Sequence, residues 1–315
     1  MPDIIIRRYS PADAPQWNEL VAGSRNGLIL HLRGYMDYHS DRFADHSLMA
    51  YAGNRLIAVL PANEVGRELH SHGGLTFGGW LSPERHIDAG VMMDITGAMV
   101  AYMREHGFGR LIYRPVPHIF HRYPAEEDLY ALWRAGGTLS SCNISTVVDL
   151  RMPLDPDRGC RSAVNAARRA GVVTEPSDDW TAYWNLLSEV LHERYDAAPV
   201  HSLEEITLLH NRFPDRIRLH VARIDGQMVA GVVMFLLNGV ARCQYIAANA
   251  EARQTKALTL LLTDLLRHYT EREYRYFDFG TSNEAGGHLL NRSLMEQKSR
   301  LGGRGVVYPT YQLDL

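Results

Sequence analysis

Apolar residues recur along this chain with two spacings, and the spacings divide it into helices and strands. In "DAGVMMDITGAMVAYMREHG" Val91, Ile95, Met99 and Met103 fall on one stripe and Gly107 ends the pattern, which predicts a helix. "TKALTLLLTDLLRHYTERE" behaves alike, with Leu258, Leu261, Leu262, Leu265 and Leu266 at helical spacing. Further helices are expected over "SPADAPQWNELVAGS", with Ser10 as N-cap and Pro11 in the first turn, and over "PAEEDLYALWRAGG", whose acidic start suits the positive helix end. "CRSAVNAARRAG", "DDWTAYWNLLSEVLHERY", "SLEEITLLHNRF" and "HLLNRSLMEQKSRLG" complete the helical set. Strands are expected in "DIIIRRY", "RELHSHGG", "GRLIYRPVP", "TLSSCNISTVVDL", "VVTEP", "YRYFDFGTSN" and "RGVVYPTYQLDL". "SLMAYAGNRLIAVLPANEV" reads as two strands joined at "AGNR", and "IRLHVARIDGQMVAGVVMFLLNGVARCQYIAAN" as three strands with turns at "DGQ" and "NGV".

The order of these elements repeats. Each half has an initial helical part, a hairpin with a glycine turn, a third strand entering a loop, a long helix and a further strand. "AYAGNRLIAVLPA" and "ARIDGQMVAGVVM" occupy equivalent places. The expected fold class is therefore α/β (α+β mixed sheets), built as a tandem repeat of one unit. The proline-rich stretch Arg151–Gly159 reads as the linker, giving domains 1–155 and 156–315.

Composition adds mainly exclusions. With 315 residues, 46% of them hydrophobic, the chain can bury a substantial core. A net charge of −3 supplies no basic field for nucleic acid. Cys142, Cys160 and Cys243 lie far apart, which argues against a disulfide framework and fits a cytoplasmic protein. No apolar run approaches the ~20 residues that span a bilayer. His70 and His72 form an H-x-H pair without a third ligand at suitable spacing, so no metal is expected.

Four stretches carry a family resemblance: "NGLILHLRGYMDYHSDRFADHSLMAY", "SHGGLTFGGW", "RPVPHIFHRYPAEEDLYAL" and "YFDFGTSNEAGGHLLNRSLMEQKSRLGGRGVVY". With the repeated layout, they resemble the FemAB-like branch of the Gcn5-related N-acetyltransferase (GNAT) superfamily. The resemblance implies two tandem GNAT-like domains, each with a mixed sheet that opens between its fourth and fifth strands to admit an acyl donor. It implies an N-acyltransferase using acyl-CoA as co-substrate. The acceptor would be the amine of a nucleotide-linked amino sugar or a related cell-envelope glycan precursor. Aminoacyl-tRNA as donor and a non-catalytic binding module are the alternatives, and a homo-oligomer stays open. Typical members carry R/Q-x-x-G-x-G/A before the long helix. Here that place reads "NAEARQTKALTLLL", without either glycine, so Arg253, Gln254, Thr255 and Lys256 are the expected donor-binding residues.

Site residues follow from the loops and strand ends. "SHGGLTFGG" puts four glycines in nine positions, so Gly73, Gly74, Thr76 and His72 are expected to meet a ligand across main-chain amides. "FDFGTSNEAGG" brings Asp278 to a strand and Ser282, Asn283 and Glu284 to its end, where ligands of open sheets lie. His118, Glu127, Gln244 and Tyr245 are further cleft candidates, and Lys298 and Arg304 are candidates for a phosphate. Acyl transfer to an amine needs a base, and His72, Glu284 and Asp278 are proposed for it in that order. No G-x-S-x-G or charged cysteine motif stands out, consistent with direct attack. The two units are expected to face one another, with the reactants between them.

Overall fold

The structure, a computed structural model, describes residues 3–315, apart from the side chain of Tyr195. It divides into two compact units. The first comprises the residues up to Asn143 with Gly286–His288 and Val307–Leu315; the second comprises Ile144–Ala285 and Leu289–Val306. The proline-rich stretch falls inside the second unit.

In chain order the first unit begins with β1 (Ile4–Arg8), α1 (Ala14–Gly23), α2 (Arg33–Met36), β2 (Leu48–Ala52) and β3 (Arg55–Leu60). There follow β4 (Asn63–Val65), β5 (Glu68–His70), α3 (Ala89–Glu105), β6 (Arg110–Tyr113), α4 (Glu127–Arg134) and β7 (Thr138–Asp149), which runs on into the second unit. β1, β2 and β3 form an antiparallel sheet. β4 pairs antiparallel with β5, and β5 parallel with β6. The expected stripe of α3 is buried: Val91, Ile95, Met99 and Met103 pack with Leu48, Ile57, Leu60 and Leu111. Asp88 caps α3 by accepting from Val91 N at 2.9 Å.

The second unit continues with α5 (Arg158–Arg169), β8 (Val173–Ser177), α6 (Trp180–Tyr195), α7 (Leu203–Arg212), β9 (Ile217–Ile224), β10 (Gln227–Leu237) and β11 (Val240–Ala248). Then come α8 (Ala250–Thr255), α9 (Ala257–Thr270), β12 (Tyr276–Thr281), β13 (Asn283–Glu284), β14 (Leu289–Leu290), α10 (Arg292–Arg300) and β15 (Arg304–Asp314), whose end returns to the first unit beside β6. β8 to β11 are an antiparallel meander. Leu261, Leu262 and Leu265 of α9 are buried in its core, with Leu258 and Leu266 partly buried against it. Two local expectations change. The helix expected from His288 starts only at Arg292, because Leu289 and Leu290 pair back onto Glu284 and Asn283. The helix expected from Thr255 is preceded by a separate turn of helix, α8, and Lys256 in the left-handed region breaks the two apart.

Candidate functional site

β11 and β12 run parallel for only three residue pairs, Val240, Ala241 and Arg242 against Tyr276, Phe277 and Asp278. Beyond them β11 stays with β10, while β12 follows β7 as far as Thr281 opposite Ser145. A bulge accompanies the parting. Val233 faces Tyr245 and Met234 faces Cys243, so Gln244 has no partner across the ladder. Gly280 then turns β12 at φ +79°, with Cys243 O 3.6 Å from where a Cβ would sit.

The parting leaves a cleft of about 470 Å³ within the second unit, a size suited to a small ligand. Its walls are apolar: Leu258 and Leu262 from α9, Leu294 and Leu301 at α10, Val190 and Leu191 from α6, Ile246 and Phe279 from the two strands. Its polar lining is Gln244, Gln297, Thr281 and four cations, Arg194, Arg242, Arg253 and Lys298; among the described residues no carboxylate lines it. Such a lining suits an apolar chain that also carries anionic groups.

The apex of the cleft is a buried ionic cluster. Asp278, wholly buried, accepts from Ser145 Oγ at 2.5 Å, from Gly280 N at 2.8 Å and from Arg242 Nη1. Lys298 Nζ donates to Gly280 O at 2.9 Å, Thr281 O at 2.8 Å and Ser282 Oγ at 2.9 Å. Burial pushes this ammonium down to about 8, partly opposed by Asp278. The cluster fixes the backbone turn that opens the strands. Burial pushes the Cys243 thiol far up, which disfavours the thiolate, and its sulfur lies 3.8 Å from Met234 Sδ.

The remaining second-unit candidates surround this cluster. Asn283 Oδ1 accepts from Ile144 N at 2.9 Å, and exposed Glu284 accepts from Asn291 Nδ2 at 3.3 Å. Arg304 is exposed and donates to Gly303 O at 2.7 Å. Tyr245 packs edge-on to Trp184 and bonds His201 Nδ1 at 2.5 Å; burial raises its hydroxyl to about 12. Arg253 lines the cleft at α8, while Gln254 is exposed and Thr255 turns its hydroxyl back to Glu251 O at 2.8 Å. Lys256 opens α9 without a side-chain cap, leaving the first amides of that helix for an anion.

In the first unit β5 and β6 are the corresponding parallel pair, and there the parting is stitched shut. Ser71 N donates to Ile112 O at 2.8 Å, Arg114 N to Ser71 Oγ at 2.7 Å and Gly78 N to Arg114 O at 2.8 Å. The glycine loop therefore meets its own chain. A Cβ on Gly78 would lie 2.1 Å from Ser71 O, and one on Gly74 would lie 2.5 Å from His39 Nε2. Gly73 N donates to Asn63 Oδ1 at 2.7 Å. His72 is buried at φ +62°, stacked on His39 at 5.2 Å; burial, then His39, pushes its imidazole down to about 3, leaving it a weak proton acceptor. Thr76 and His118 are exposed. Glu127 holds buried Arg25 through both oxygens, at 2.8 and 3.2 Å. The structure thus gathers Asp278, Ser282, Lys298, Gln244 and Arg253 around one cleft, and places His72, Gly73, Gly74, Thr76, His118 and Glu127 in the other unit. Arg242, Ser145 and His201 escaped the sequence reading. A charged residue amid the buried run "GVARCQ" was the signal for Arg242; the other two carried none.

Residues 157–285 match the acetyltransferase (GNAT) domain. Over the whole chain the fold is similar to that of FemX, with a TM-score of 0.68, 11% identity and 98% and 97% of the two chains covered. It is also similar to the C-terminal domain of a candidate lysylphosphatidylglycerol synthetase from Agrobacterium fabrum (TM-score 0.62, 15% identity, 96% and 90% covered). A tandem GNAT protein from the clavulanic acid biosynthesis pathway gives a TM-score of 0.55 at 14% identity, with 99% and 98% covered. No curated protein matches the sequence. The chain carries a GNAT acetyltransferase domain and, along its length, the FemAB-like tandem GNAT fold; it is an acyltransferase. Among the described residues no helix is long and apolar enough to cross a membrane, and no cluster of three or more His, Cys, Asp or Glu is placed to hold a metal.

Proposed function

We propose that the chain is an N-acyltransferase that takes an acyl group from acyl-CoA and passes it to the amine of a nucleotide-linked amino sugar or related glycan precursor. The observation that carries this reading is the parted β11–β12 pair with its bulge at Gln244, where a thin acyl-pantetheine arm fits between two strands. The uncapped start of α9, with Arg253 and Lys256, suits the pyrophosphate despite the missing glycines. The amine attacks the thioester carbonyl directly, because the one thiol lining the cleft is held protonated and Lys298 is occupied by three acceptors. Orientation in the cleft supplies much of the acceleration. Of the three proposed bases, Asp278 is enclosed by donors and His72 is buried in the other unit. Glu284, exposed just past the end of β12 and beyond the lining of the cleft, is the one of the three open to an amine held at the cleft's mouth. The amino-sugar acceptor is suggested by the FemAB-like fold.

The likeness to FemX and to a candidate lysylphosphatidylglycerol synthetase favours a second reading, in which the donor is an aminoacyl-tRNA. One assay separates the two. The chain is incubated with acyl-CoAs and a panel of amines including nucleotide-linked amino sugars, and free thiol is followed. Acceptor-dependent thiol release supports acyl-CoA. Absence of release with every pair, together with ribonuclease-sensitive transfer from charged tRNA, would replace it with the second reading.

A further inference from the structure

Gln244 is the residue the bulge expels from the β-ladder, and its side chain lines the cleft. A chain of hydrogen bonds leads up to its carboxamide. Trp184 Nε1 donates to His201 O at 3.2 Å, holding the buried His201 in place. His201 N donates to the Tyr245 hydroxyl at 3.3 Å, and that hydroxyl meets His201 Nδ1 at 2.5 Å. The Gln244 carboxamide turns an N–H toward the same hydroxyl, which the backbone of His201 and Val200 also meets. Gln244 Oε1 is left buried with no hydrogen-bond partner, a state that costs free energy unless a ligand supplies a donor.

We propose that Gln244 is a specificity-determining residue, selecting acyl groups that carry a hydroxyl or amino donor close to the transferred carbonyl. The inference rests on the reading of the cleft as the acyl-donor site. A plain acyl chain would leave Oε1 unpaired, and sites built around a buried polar group discriminate strongly against ligands that cannot satisfy it. Tyr245 and His201 act through Gln244 as positioning residues.

The test is equilibrium binding of CoA, butyryl-CoA, 2-hydroxybutyryl-CoA and 3-hydroxybutyryl-CoA to the intact chain and to Q244M, Q244E and Y245F. The intact chain is expected to bind one hydroxylated donor roughly tenfold more tightly than butyryl-CoA, the worth of one hydrogen bond. Q244M should bring that ratio near one. Q244E, which keeps an acceptor oxygen, should retain the ratio, and Y245F should lower it by freeing the carboxamide to turn. Thermal unfolding serves as the control for folding of each variant. Equal affinity for butyryl-CoA and both hydroxylated donors in the intact chain overturns the role of Gln244 and leaves the donor site standing. Failure of every CoA compound to bind overturns both.

Discussion

Two residues show how burial decides between structural and chemical roles. Asp278 carries no exposed surface and is the counter-ion of Arg242, so its main task is to hold the cleft apex together. Removing it strands a buried guanidinium. D278A is expected to lose about 3–5 kcal/mol of stability, read from urea unfolding; a loss under ~1 kcal/mol would mean that water reaches Arg242 freely. Glu284 is the opposite case, exposed and bonded only loosely to Asn291. E284Q should leave stability and CoA affinity near wild type while cutting kcat by about 10²–10⁴, the usual worth of a general base. Unchanged turnover would return the base to water. The sequence marked both residues as cleft candidates without separating these roles, because one sits between two buried phenylalanines and the other on an open turn, and only the fold shows that difference.

At the level of elements, hydrophobic spacing was a good guide and glycine count was not. The α3 and α9 stripes turned inward as their periods required. The glycines of Ser71–Gly79 suggested a ligand against the main chain, yet a loop pressed on its own backbone needs the same residue. Two of their partners, His39 and Tyr113, come from different stretches of sequence and leave no local mark. G78A should cost about 3 kcal/mol, since the added methyl would meet main-chain atoms that cannot withdraw. G97A is the contrasting case. Gly97 is exposed in the interior of α3 with open space around a Cβ, and alanine should raise stability by about 0.5–1 kcal/mol. If G78A were neutral in thermal unfolding, the loop would have room for something besides itself.

Across the whole molecule, buried histidines set the acid limit. Burial lowers His31 and His220 to about 4 and His72 to about 3. Their folded values lie below the unfolded one, so the unfolded chain binds more protons as pH falls. The stability they contribute is complete above about pH 6.5 and is lost progressively below it. Asp128, raised by burial to about 7, acts in the other direction, but one such group does not offset three. Unfolding free energy should therefore drop between pH 6.5 and 5, and H72N, which tolerates the left-handed backbone, should reduce the slope; an identical slope would show that His72 is protonated in the folded chain. The repeat was legible from element order. That only one unit keeps its parallel strands apart was not, since closure in the other depends on main-chain bonds at Ser71 and Gly78 and on the Ser71 hydroxyl. The account's central claim is that the acyl donor enters between β11 and β12. Hydrogen–deuterium exchange with and without acetyl-CoA tests it most directly. Slowed exchange confined to amides of 242–248 and 257–260 is the result expected, and protection confined to 71–79, with none along β11, would contradict it.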